Sequence, residues 1–107
     1  MQAKELISLI SLCNDETAFE LYQDLLKTAL KYTTFRFQWE LYTNEERIQN
    51  DQYRTSAHNA YMDCLNIFLR YMNTLSNNVP SIPEHWTRKE LGDLACQLVC
   101  EVAIQNR

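Results

Sequence analysis

A row of polar side chains in the middle of the sequence has the chemistry of a binding site. Spacings of four, three and four residues separate Asn59, Asp63, Asn66 and Arg70, so a helix would carry all four on one side. Arg70 and Asn66 could hold a carboxylate or a phosphate group, with Asp63 orienting the guanidinium group. A solvated helix face, or a structural network tied to the loop that follows, explains the same row without any ligand. The row is therefore a candidate for ligand or partner binding, and these alternatives stay open.

The histidines and cysteines lack the spacing of a metal site. The sequence provides six such side chains: Cys13, Cys64, Cys96, Cys100, His58 and His85. Cys96 and Cys100 lie one helical turn apart, but no C-x-x-C or H-x-x-x-H motif completes a zinc site. Neither histidine has a glutamate three residues before it, as the di-iron sites of helical bundles require. We therefore predict no metal and no cofactor.

Two groups of acidic side chains offer an enzymatic alternative. The first group shares one helix face and comprises Glu16, Glu20 and Asp24, and the second comprises Glu45, Glu46 and Asp51. If the two groups faced each other on neighbouring helices, they could hold magnesium, as in helical nucleotide pyrophosphatases. The helix dipole alone also favours acidic side chains near a helix N-terminus. The alternative function is therefore a small-ligand-binding or metal-binding enzyme of the helical phosphohydrolase type, although the incomplete catalytic set favours a protein that is not an enzyme.

Aromatic residues concentrate in one stretch of the chain. Residues 32–42 hold five of the twelve aromatic side chains: Tyr32, Phe35, Phe37, Trp39 and Tyr42. Helical spacing places four of them on one inward face and turns Phe37 away from it. Because aromatic side chains and arginine anchor protein interfaces, Phe37 with its neighbour Arg36 predicts a contact surface. The occupant would be a second copy of the chain, as a homodimer, or another protein.

Composition excludes several functional classes. A single glycine cannot build a P-loop, a dinucleotide-binding turn or a nucleophile elbow, since each of these needs several glycines. The net charge of −4 and the lack of a basic stripe argue against nucleic acid as a partner. No apolar run reaches the roughly 20 residues of a membrane span, and the first residues lack a signal-peptide pattern. We therefore expect a cytoplasmic protein with reduced cysteines and no membrane contact.

Hydrophobic periodicity predicts four helices. Their ranges are 3–12, 16–42, 44–75 and 88–104, with a loop over residues 76–84. An N-cap at Asp15 and two capping boxes, at residues 43–46 and 87–90, mark the starts of the last three helices. The inward face of the second helix is predicted to comprise Phe19, Tyr22, Leu25, Leu26, Ala29 and Leu30.

These helices predict a single all-α domain over residues 1–107. The expected architecture is a small bundle of about four helices, in which the long second and third helices form an antiparallel pair. Residues 44–52 contain only Ile48 as a large apolar residue, so this segment is either helix outside the core or partly loop. A continuous helix over 44–75 would be about 48 Å long. Such a length predicts a kink or an overhang beyond the core.

A distinctive pattern occupies residues 54–72, which read RTSAHNAYMDCLNIFLRYM. Its arginine, His-Asn, Leu-Asn-Ile and Arg-Tyr elements resemble the central helix of small all-helical proteins from Gram-positive bacteria and their phages and plasmids. The resemblance brings no known activity that could be carried over to this chain. It makes the acidic accessory proteins of mobile elements the relevant comparison, and many of those bind and inhibit a host protein, including CRISPR effectors with basic nucleic-acid channels.

The leading functional prediction is a non-enzymatic helical protein–protein interaction module. The acidic first half of the chain, the aromatic group and the incomplete catalytic set all favour it. The resemblance extends this prediction to an inhibitor of a host protein, of the anti-CRISPR-like kind. The partner itself, the oligomeric state and the pathway are open at the level of the sequence.

Overall fold

Four helices form nearly all of the residues that the computed structural model describes, which are 2–75 and 87–105. The helices are α1 (Ala3–Ser11), α2 (Glu16–Leu41), α3 (Asn44–Leu75) and α4 (Arg88–Gln105). No strand occurs within these two ranges. The predicted all-α bundle of about four helices is thereby confirmed, whereas the predicted loop over residues 76–84 lies outside the described residues.

Local capping chemistry sets where α3 and α4 begin. The Thr43 hydroxyl accepts from the Glu46 amide at 3.2 Å, and the Glu46 carboxylate accepts from the Thr43 amide at 3.0 Å. Thr87 and Glu90 repeat this arrangement at 3.2 and 3.3 Å. Each box satisfies amides that have no partner within the helix. The two predicted capping boxes are therefore confirmed.

Asp15 fixes the start of α2 and also ties that point to α3. Its Oδ1 atom accepts from the Ala18 amide at 2.9 Å, which is the predicted N-cap interaction. The same oxygen accepts from the Tyr71 hydroxyl at 2.8 Å. These two hydrogen bonds stabilise the charged carboxylate and hold the pKa of Asp15 below its ordinary value. One side chain thus joins the α1–α2 connection to the far end of α3.

The helices α2 and α3 form a long antiparallel pair, as predicted. Three contacts along the pair join Tyr22 to Phe68 with ring centroids 5.8 Å apart, Tyr32 to Tyr61 at 5.6 Å, and Trp39 to the Arg54 guanidinium at 4.7 Å. Along these contacts the residue numbers rise on α2 and fall on α3, so the two helices run in opposite directions. This register determines which side chains of α2 and α3 lie close enough to share a site.

The first turns of α3 project beyond the core. Residues 44–52 are helical without a break, and no side chain before Ala57 on this helix is buried. The Arg47 Nε atom donates to the Trp39 carbonyl at 3.0 Å, which satisfies a carbonyl in the last turn of α2. Residues 44–52, which the sequence left as either helix outside the core or partly loop, are therefore a helical overhang. Arg47 connects this overhang to α2 by a hydrogen bond.

The core lies where α2 packs against α3 on one side and α4 on another, with α1 closing on α4 and α2. Its fully buried large side chains are Leu6, Leu25, Tyr61, Leu65, Phe68, Leu94 and Leu98. The buried stripe of α2 is narrow and comprises Ala18, Tyr22, Leu25, Ala29 and Tyr32. Phe19 and Leu30, predicted to face inward, are exposed instead, because they flank this stripe on sides that no other described helix covers.

Candidate functional site

The polar row lies on α3 as the spacing predicts, but it faces solvent. All four members, Asn59, Asp63, Asn66 and Arg70, are exposed. Within the described part of the chain no hydrogen bond or ion pair connects them to one another, and the nearest polar contact is 3.4 Å between Asn59 Oδ1 and His58 Nδ1. The four side chains therefore share one side of α3, but among the described residues they do not line a cavity. Ligand binding by this row stays a prediction.

Arg36 and Phe37, the predicted interface pair, point to different surroundings. Both terminal nitrogens of Arg36 lie 3.4 Å from Asp93 Oδ1 on α4, and Nη1 also lies 3.6 Å from Cys96 Sγ. Arg36 crosses α4 at Gly92, where an added Cβ would lie 2.7 Å from the Arg36 Cζ atom. The single glycine of the chain thus leaves room for Arg36 to join α2 to α4, while Phe37 extends into solvent.

An uncharged, largely apolar surface adjoins Phe37 on one side. Along α2 a stripe at spacings of four, three and four residues comprises Leu30, Thr34, Phe37 and Leu41. Beside it, a shallow groove of about 340 Å³ between α2 and α4 is lined by Thr33, Thr34, Phe37, Cys96, Val99 and Cys100. We call this combined stripe and groove the Phe37 face. The regular spacing of the stripe could have predicted the Phe37 face. From the sequence, however, Leu30 is predicted to lie in the core, and Thr34 and Leu41 are assigned to no surface.

A second cavity, which we call the basic cleft, lies where α2, α3 and α4 meet. Its volume is about 240 Å³, and its lining comprises Tyr32, Arg36, Trp39, Glu40, Arg54, Arg88 and Lys89. Four of these seven side chains are basic and one is acidic. The Arg54 guanidinium lies over the Trp39 ring in a cation–π contact that joins α3 to α2 beside the cleft. This cleft was not predicted from the sequence, because its basic residues are distributed over three helices.

His58 lies buried beside the basic cleft. Only 9% of its surface is exposed, and its ring meets the edge of Tyr32 with centroids 5.2 Å apart. Its Nε2 atom has no hydrogen-bond partner among the described residues. Burial is the main cause that lowers the pKa of His58; the hydrogen bond with Asn59 opposes it, and the positive charges of Arg88 and Arg54 add smaller decreases. His58 is therefore a neutral buried ring at neutral pH.

Comparison with protein-family models, with curated proteins and with solved structures finds no match to this chain. None of the described helices is long and apolar enough to cross a membrane. The function must therefore be inferred from the chain's own surfaces, and the resemblance of residues 54–72 to proteins of mobile elements stays a prediction.

The two acidic groups of the enzymatic alternative lie at opposite ends of the helix pair. In the antiparallel register Tyr22 meets Phe68 and Trp39 meets Arg54. The acids at 16–24 therefore lie near the C-terminal half of α3, roughly 30 Å from those at 45–51. Among the described residues no three acidic, histidine or cysteine side chains are placed to hold one metal ion. These two groups cannot share a magnesium ion.

The buried His58 predicts a stability that falls in mild acid. The unfolded chain protonates this histidine near its ordinary pKa of 6.5, whereas the folded protein holds the pKa lower. Between the two values the unfolded state binds more protons, so stability is full above pH 6.5 and declines as the pH falls below it, by at most about 1.4 kcal/mol per pH unit. Urea denaturation of the wild type and of His58→Phe at several pH values measures this slope.

The His58→Phe variant is the matched control, because phenylalanine keeps a ring against Tyr32 and has no proton to bind. Its stability should be nearly independent of pH in the same window. Asp15 does not interfere with this measurement. Because folding lowers the pKa of Asp15, its contribution to the stability of the protein is lost only when the pH falls below its ordinary pKa of 3.8. An equal slope in both proteins would assign the pH dependence to a different group.

Proposed function

We propose that this protein is a non-enzymatic helical interaction module that binds a polypeptide through the Phe37 face, and that this polypeptide is a second copy of the same chain. The observation that carries the proposal is the exposure of three large apolar side chains on one stripe: Phe37 and Leu41 at 73% each and Leu30 at 55%. Single exposed apolar residues are ordinary, but a contiguous row beside an uncharged groove is typical of a contact surface.

The chemistry of the Phe37 face favours self-association over a foreign partner. In a two-fold dimer the same patch meets itself, so a charge near the two-fold axis would face its own copy and be repelled. No charged side chain lines the groove, and the stripe at 30, 34, 37 and 41 carries none. Such a patch is self-complementary without repulsion. A surface selected for a basic partner would instead combine its apolar centre with acidic side chains.

Sedimentation equilibrium from micromolar to submillimolar concentrations tests this proposal. The wild type should form dimers, and Phe37→Glu should weaken self-association at least about 100-fold, because the substitution counts twice in a symmetric interface. The matched control is Ile67→Glu, which places the same charge at a half-exposed apolar position on α3, away from the Phe37 face. This control should dimerise like the wild type.

Three results would contradict the proposal. A wild type that stays monomeric at every concentration would remove the second copy as the occupant, and a monomer that loses a separate protein partner on Phe37→Glu would reassign the face to that partner. Equal weakening by Phe37→Glu and Ile67→Glu would place the interface elsewhere on the molecule. Circular dichroism confirms that each variant remains helical.

A further inference from the structure

The basic cleft concentrates positive charge in a protein whose net charge is −4. The chain has ten lysines and arginines, and the four that line this cleft are Arg36, Arg54, Arg88 and Lys89. Arg36 is paired with Asp93. Within the described ranges Arg54, Arg88 and Lys89 make no ion pair, and Glu40 is the one acid in the lining. The fold thus brings together charges that repel one another and that a bound anion would stabilise.

The start of α4 adds to this positive potential. Arg88 and Lys89 occupy its first turn, directly after the Thr87 cap. The positive end of the helix dipole favours acidic side chains in this position and disfavours basic ones. Two basic residues there are therefore unfavourable for the isolated helix. The positive end of the dipole and these two side chains attract a phosphate group, while the Glu90 carboxylate of the capping box offsets part of this charge.

A buried polar ring lies beside the cleft. His58 is nine-tenths buried, and although burial is the main cause of its lowered pKa, the charges on Arg88 and Arg54 also lower it. Its Nε2 atom has no partner among the described residues, and Tyr32, which its ring contacts, lines the cleft. A negative ligand in the cleft would offset the positive charges that act on this ring. These observations share the charges of Arg54 and Arg88, and they point to an anion at one place.

We propose that the basic cleft is a binding site for a small phosphate-bearing molecule, with the guanidinium groups of Arg54 and Arg88 as its principal donors. Guanidinium groups match the planar, bidentate geometry of phosphate oxygens. The volume of about 240 Å³ fits a compact phosphate group. An extended nucleic-acid backbone would need a basic track along the surface, whereas the rest of this chain is acidic.

Isothermal titration calorimetry with inorganic pyrophosphate at low ionic strength tests the site. We expect saturable binding at one site per chain, and at least about tenfold weaker binding in the double variant Arg54→Gln/Arg88→Gln. The matched control is Lys27→Gln/Lys31→Gln, which removes the same charge from exposed positions on α2. This control should retain the wild-type affinity. Thermal melting verifies that both double variants are folded.

A second readout locates the ligand. In isotope-labelled protein, pyrophosphate should shift the Trp39 indole and His58 ring resonances more than those of residues around Phe37. Arg70→Gln tests the polar row of α3 as a competing anion site and should leave binding unchanged.

Each contrary result overturns the proposal. The absence of saturable binding would do so, and so would equal weakening in the two double variants, which would reduce the effect to overall charge. Loss of binding in Arg70→Gln would move the site to the polar row. A single-stranded oligonucleotide that binds the cleft more tightly than pyrophosphate would replace the small molecule with nucleic acid.

Discussion

Replacement of Tyr61 with alanine should lower the free energy of unfolding by about 3–5 kcal/mol. The ring is fully buried on α3, stacks on Tyr32 of α2 at an interplanar angle of 12°, and donates its hydroxyl hydrogen to the Leu91 carbonyl of α4 at 3.0 Å. One side chain thus connects three helices. Alanine would leave a cavity at their junction and would remove the hydrogen bond that joins α3 to α4.

The Tyr61→Phe variant separates packing from hydrogen bonding. It keeps the stacked ring and removes only the hydroxyl group, so we expect a loss of about 1 kcal/mol. Burial raises the pKa of Tyr61, and this keeps the hydroxyl group neutral and able to donate over the whole experimental range. Urea denaturation followed by circular dichroism measures both variants. Equal losses for phenylalanine and alanine would show that the ring contributes nothing beyond its hydroxyl group.

The matched control for these variants is Tyr53→Ala. Tyr53 is an exposed tyrosine of the same helix, in the overhang before the core begins. The substitution Tyr53→Ala changes helix propensity as much as Tyr61→Ala does, but it leaves no cavity. We therefore expect it to change the free energy of unfolding by no more than about 0.5 kcal/mol. A large loss at Tyr53 would mean that the overhang is packed against another part of the chain.

Sequence patterns predicted those features of the fold that depend on neighbouring residues. The capping boxes at 43–46 and 87–90 and the N-cap at Asp15 each involve residues within one turn, and all three occur as predicted. The antiparallel pair follows because only Tyr42 and Thr43 separate α2 from α3. Such a short connection leaves two long helices little choice except to fold back on one another.

Hydrophobic periodicity could not decide how wide the covered face of α2 is. The pattern identifies a side of the helix, but the covered width depends on where α3 and α4 lie around it. Leu25 and Ala29 fall beneath those helices, whereas Leu30, next in sequence to a buried alanine, falls outside them. The Phe37 face results from this difference. Only the packing of the whole chain shows it.

The basic cleft could not be predicted from the sequence, because it too depends on how the helices pack. Arg36, Arg54 and Arg88 are separated by 18 and 34 residues, and only Arg88 has a basic residue, Lys89, directly beside it. A search for a basic stripe detects charges that are close in sequence or on one helix. The cleft instead collects one or two charges from each of three helices. By contrast, the polar row on α3 was predicted correctly as one face because its four members share a single helix.

Replacement of Phe68 with alanine should lower the free energy of unfolding by about 3–5 kcal/mol as well, for a reason that differs from that at Tyr61. Phe68 is fully buried and meets Tyr22 of α2 with ring centroids 5.8 Å apart. It has no polar atom, so the whole effect would come from lost apolar burial and from the cavity that remains. Chemical denaturation at neutral pH measures it.

Two companion variants make the Phe68 result specific. Phe68→Leu retains most of the volume and should cost clearly less than alanine, about 1–2 kcal/mol. Ile67→Ala truncates the adjacent, half-exposed side chain on the same helix and should cost less than about 1 kcal/mol. If Phe68→Ala cost no more than Ile67→Ala, Tyr22 would have to move into the vacated space. The contact between α2 and α3 would then be adaptable at this end, and the rigidity of the pair would depend mainly on Tyr32 and Tyr61.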